Sequence, residues 1–94
     1  MPFTRRLGQG AVRAGELLIA ADRNDEAIAV AERSLVAEPW AEAAYRISAR
    51  ARLGAGDRAG ALRAIAACKR MCADLGVEPE RATDELERTI ARAG

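Results

Sequence analysis

Among its 94 residues the chain has no histidine. That removes the commonest general base and the commonest metal ligand, so no Ser, Thr or Cys has an imidazole to activate it. Aromatic residues are almost as scarce, with one Phe, one Trp and one Tyr making up 3% of the chain. The core therefore has to be built from Ala, Leu, Ile and Val, and small side chains let helices approach closely. No apolar run reaches the roughly 18 residues that a membrane-spanning helix requires, and 31% of the residues are charged. Neither sign of charge dominates: 15 basic residues face 14 acidic ones, for a net charge of +1. A global electrostatic attraction to nucleic acid is thus excluded, although arginines are dense between Arg46 and Arg70. Two arginines in the opening MPFTRR have no apolar stretch behind them, so no secretory signal is read and a cytoplasmic location is expected.

Only two cysteines are present, Cys68 and Cys72. Four residues apart on a helix, they share one face, but helical Cβ directions suit a disulfide poorly. A zinc site would need two more ligands, and only the cysteines of a second chain would supply thiolates. The expectation is a structural role as small buried groups, with no metal and no cofactor. The other chemistry-bearing patterns are equally bland. DELER at 84–88 reads as a solvated helix face with an Asp84–Arg88 pair. The glycines of GAGDRAG follow no strand and precede no Lys-Ser or Lys-Thr, so they form no phosphate loop. Nothing here points to an enzyme.

What is abundant is helix-forming sequence divided by breakers. Thr4 to Ala21 reads as a first helix with Leu7, Val12, Leu17, Leu18 and Ile19 as its apolar content. Gly8, Gly10 and Gly15 weaken it, each by up to about 1 kcal/mol against Ala, so its first two turns are expected to fray. After the turn at 22–25, with Asn24 or Asp25 as N-cap, a second helix runs to about Ala37 on a stripe of Ala27, Ile28, Ala31, Leu35 and Val36. Pro39 ends that helix and opens a third one reaching about Leu53, with Trp40, Ala44, Ile47, Ala51 and Leu53 as candidate core. Asp57 caps a fourth helix, which carries Leu62, Ile65 and Met71 inward and stops at Leu75-Gly76-Val77. Pro79 opens a fifth, ending near Arg92, with Leu86 and Ile90 four apart on one face.

The helices recur. Ala27 and Ala61 are 34 residues apart, as are Ile28 and Leu62, Ala31 and Ile65, and Ser34 and Cys68. Paired antiparallel helices at this period are the signature of tetratricopeptide repeats. The expected fold is all-α: about five antiparallel helices in a tetratricopeptide-like superhelix. It forms one domain over 1–94, with repeat one at about 8–39, repeat two at about 40–76, and a capping helix at about 79–93. A five-helix bundle without superhelical pitch is the alternative. In the repeat register Gly15 takes a small contact position, and Trp40 wedges between the two helix pairs. Val12, Glu16, Ile19, Arg46, Arg50 and Leu53 face the groove. Of these, Glu16, Arg46, Arg50 and Leu53 are the candidate partner-binding residues, the two arginines being placed to hold an acidic peptide or carboxylate. An ordinary solvated face explains the same spacing. On the groove reading, reversing both arginines to Glu abolishes partner binding without lowering Tm.

From Glu38 onward the order of motifs is more specific. EPW at 38–40, EAAY at 42–45, GD at 56–57 and LGVEP at 75–79, followed by Thr83, Leu86 and Ile90, resembles the bacterial transcriptional activator domain. This module occurs in antibiotic-pathway regulators of streptomycetes and in related actinobacterial activators. The chain departs from the family's habit at Ile65, where Tyr is frequent, and at Glu87, where an aromatic is common. The resemblance implies an all-helical, repeat-like, non-catalytic module of a transcription factor, mediating self-association (a homodimer among the options) or contact with partner domains. It places DNA reading in another part of the regulator, with no direct nucleic-acid or membrane binding by this segment. A generic tetratricopeptide adaptor unconnected with transcription is the alternative that the period alone supports.

Overall fold

Gly, Pro and short polar turns cut the chain into α1 (Pro2–Ala20), α2 (Asn24–Ala37), α3 (Glu42–Gly54), α4 (Arg58–Leu75) and α5 (Arg81–Arg92). The computed structural model describes the backbone of residues 2–93 and the side chains of residues 10–93; Leu7 lies outside the described side chains. Among the described residues there are five helices and no strand.

Three helices end in the same way. After α4, Gly76 sits in the left-handed region at φ 71°, its N–H donating to the Ala73 carbonyl, while the Val77 N–H donates to that of Cys72. This paired closure satisfies the last carbonyls of the helix. Gly56, at φ 84°, does the same after α3. Behind α1 the left-handed residue is Asp22, at φ 60°, where a side chain carries a steric cost that Gly avoids.

Helix starts differ more from expectation. Asp57 caps α4 as the sequence implies, its carboxylate accepting the Gly60 N–H at 2.8 Å. Neither Asn24 nor Asp25 caps α2: the cap position is Arg23, with no side-chain cap, and Asn24 is already helical and buried. Its amide packs on Gly54 at the end of α3, where an added Cβ would meet Asn24 Nδ2 at 3.0 Å. Pro39 does not open α3. Residues 39–40 form a turn and the helix begins at Glu42. Tyr45 Oη donates to the Pro39 carbonyl at 3.0 Å and ties that turn down. Pro79 likewise stands two residues before α5, which follows an extended Glu80.

Consecutive helices pack against each other, and α1 also touches α3, as α3 touches α5. Among the described residues α2 and α4 have no such contact. The odd helices therefore form one layer and the even helices the other, which is the arrangement of a helical repeat. Two apolar clusters lie between the layers and share α3. Ala27, Ala31, Ile47 and Ala51 gather Val12, Leu18, Ile19 and Ile28 around them. Ala49, Ala61, Ile65 and Ile90 gather Leu53, Leu62 and Leu86. Members of the 34-residue pairs Ala27/Ala61 and Ala31/Ile65 are all buried. Close approach depends on Gly15, where a Cβ would stand 2.6 Å from Ile47 Cγ2.

Two apolar assignments fail. Trp40 is 57% exposed and is no wedge, because the turn at 39–40 keeps it off α3. Val36, 86% exposed, lies on the outer side of α2. Leu53, read as candidate core, packs partly buried against the second cluster. The Asp84–Arg88 pair does not form; it is Glu87 that reaches across to Lys69 of α4, at 3.0 Å. Arg58, at the start of α4, donates to the carbonyls of Ile90 and Ala91 at 3.1 Å each, satisfying the end of α5 with a positive charge.

Candidate functional site

The layer of α1 and α3 presents a groove of about 550 Å³, lined by Val12, Arg13 and Glu16 of α1, by Glu38 and Trp40 of the 38–41 turn, and by Glu42 and Arg46 of α3, with Glu80 at one end. Helical spacing places these residues: Val12 and Glu16 are four apart on α1, Glu42 and Arg46 four apart on α3.

The four candidate residues meet different fates. Glu16 lines the groove, and its carboxylate lies 3.7 Å from Arg50 Nη1 of α3. The pair is about half exposed, so it contributes little to stability. Arg46 also lines the groove, but its guanidinium is engaged within the chain. Nη1 donates to Glu80 Oε1 at 2.8 Å and to Thr83 Oγ1 at 3.0 Å, and stands 3.8 Å from Glu42 Oε2. Leu53 packs partly buried against the second cluster, as Ile19 does against the first. The two arginines are thus separate: each is matched by an acid, and Arg46 holds α3 to the segment before α5. Reversing Arg46 to Glu would break that attachment and lower Tm, whatever it does to a partner.

In the sequence Glu42 stands out only as the acid of the EAAY motif at 42–45. Structurally it is the hub of the region. Oε2 accepts the Glu80 backbone N–H at 2.6 Å and the Thr83 hydroxyl at 2.5 Å. Oε1 accepts from the Cys72 thiol at 3.5 Å. One carboxylate therefore joins α3, α4 and α5. Its partners stand 30 to 41 residues away, so no local pattern reveals it. Burial, and next the negative charge of Glu42, push the Cys68 thiol up to about 12, and the same two causes raise Cys72. Both cysteines are buried protonated thiols, poor nucleophiles. Desolvation also raises Tyr45.

Among the charged groups lining the groove, acids outnumber bases: Glu16, Glu38, Glu42 and Glu80 against Arg13 and Arg46. The lining is therefore acidic in balance, an excess that Arg50 beside Glu16 reduces, with a large exposed aromatic surface at Trp40. No helix is long and apolar enough to cross a membrane.

The family model for the bacterial transcriptional activator domain matches residues 3–91. No curated protein and no solved structure matches the chain.

Proposed function

Because the chain belongs to the bacterial transcriptional activator domain family, we propose that it works as a non-catalytic protein-contacting module of a cytoplasmic transcriptional regulator, engaging a partner domain or a second copy of itself through the α1/α3 groove. The observation that carries this reading is Trp40. A Trp ring that is 57% exposed beside a groove of about 550 Å³ contributes little to the fold. On a binding surface, Trp is the residue type that most often anchors a partner. Family membership favours this reading over a generic adaptor unconnected with transcription.

The test is site-specific photo-crosslinking in the source cells. A crosslinker at position 40 is expected to capture a DNA-binding regulator segment or a second copy, whereas one at position 36 on α2 captures neither. Equal labelling from both positions, or none from position 40, would remove the groove as the contact surface.

A further inference from the structure

Glu42, Cys68 and Cys72 form a compact group with chemistry that the groove reading does not use. Their two sulfurs and a carboxylate oxygen all lie within 4.8 Å of one another. Cys68 is 0% and Cys72 1% exposed, and the Glu42 side chain is 12% exposed. The i, i+4 spacing on α4 delivers both sulfurs to one face, and α3 lays the carboxylate over them. The two oxygens of Glu42 have separate duties. Oε2 is held by the Glu80 N–H, the Thr83 hydroxyl and the nearby Arg46 guanidinium. Oε1 is left facing the Cys72 sulfur at 3.5 Å. Outer hydrogen bonds on one oxygen are how proteins aim the other oxygen at a metal.

We propose that Glu42, Cys68 and Cys72 bind a thiophilic divalent cation of the zinc class. Two thiolates and one carboxylate suit such an ion in number and softness, and disfavour magnesium or calcium. The +2 ion offsets two of the three negative ligands, and Arg46, shared with Glu80, lies near the third. Each thiol releases its proton to solvent as its sulfur bonds the ion, so binding liberates two protons and involves no redox change. Glu42 lines the groove, so an ion held by these three groups would clamp α3 to α4 beneath it. Sequence alone offers two of these ligands. The third lies 26 residues before Cys68 and reaches it only through packing.

The experiment uses the reduced full chain and Co²⁺ as the probe, followed by displacement with Zn²⁺. One equivalent of Co²⁺ per chain is expected, with sulfur-to-cobalt charge-transfer absorption, release of two protons, and a Tm that rises with ion concentration. Thr83→Val keeps every ligand but frees the carboxylate, so it weakens binding by about 10-fold with the charge-transfer band retained. Cys72→Ser abolishes the band. The proposal is overturned if folded wild-type protein shows no charge-transfer band. It is equally overturned by a band that survives Cys68→Ser/Cys72→Ser. One ion per two chains overturns it as well, since that is the stoichiometry of thiolates shared between copies. Wild-type protein decides the first and third outcomes even where a variant fails to fold.

Discussion

Replacing Glu42 with Ala tests whether one carboxylate holds the capping helix in place. The substitution deletes the acceptor for the Glu80 N–H and for the Thr83 hydroxyl. Hydrogen bonds to a charged group contribute about 1.5–3 kcal/mol each. The Glu80 end is exposed, so water replaces much of that bond and the loss there is about 1 kcal/mol. Thr83 is 0% exposed. Arg46 still donates to its oxygen, but the hydroxyl proton loses its acceptor, at a cost of about 2–3 kcal/mol. The sum, about 3–4 kcal/mol, is a large share of the roughly 5–14 kcal/mol expected for a domain of this size. It corresponds to a fall in Tm of about 12–30 °C. Urea unfolding measures the total, and amide hydrogen exchange locates it. Exchange in α5 should accelerate well beyond that in α1 and α2, because among the described residues α5 touches only α3 and α4. A loss below about 1 kcal/mol, or a loss spread evenly over all five helices, refutes the hub reasoning.

Three further outcomes are expected. Asp22→Gly relieves a left-handed non-glycine residue and should raise stability by about 0.5–1 kcal/mol; unchanged or lower Tm would show that the Asp22 contact with Asn24 matters more. Trp40→Ala should alter unfolding free energy by less than about 0.5 kcal/mol while removing partner capture; a loss above about 2 kcal/mol would restore Trp40 as a packing element. High pH should weaken the fold. The folded chain holds the Cys68 proton up to about 12 against an ordinary value of 9.0, and Cys72 shifts the same way. Stability is therefore complete below about pH 9 and falls as the pH rises toward 12, by at most about 1.4 kcal/mol per pH unit for each thiol. Cys68→Ala should flatten that decline relative to wild type, and parallel pH profiles of Tm for the two proteins would contradict the assignment.

Local chemistry was legible in the sequence and tertiary chemistry was not. Asp57 as a cap, Gly76 with Val77 as a stop, and the Leu86–Ile90 stripe all depend on partners within about one or two turns of helix, so composition and spacing determined them. The 34-residue period and the LGVEP motif carried the repeat architecture and the family for the same reason: each is a pattern along the chain. The groove lining shows where that reasoning stops. Spacing put Arg46 and Arg50 on one face, but only packing gave Arg46 to Glu80 and Thr83, and Arg50 to Glu16. Trp40 read as core because it is large and apolar, and a two-residue turn left it exposed. Leu53 read as both core and groove by periodicity, and it packs partly buried against the second cluster. Glu42 and Arg58 find their partners 30 to 41 residues away, on helices whose relative placement is decided by how small side chains such as Gly15 and Ala61 let them approach. The sequence by itself determined where the helices end and repeat, because those energies are local, whereas the starts of α2, α3 and α5 lie away from the caps that the sequence offers. Which side chains meet to hold α5 and shape the groove was decided by the tertiary structure, because it depends on distances that exist only after the layers have packed.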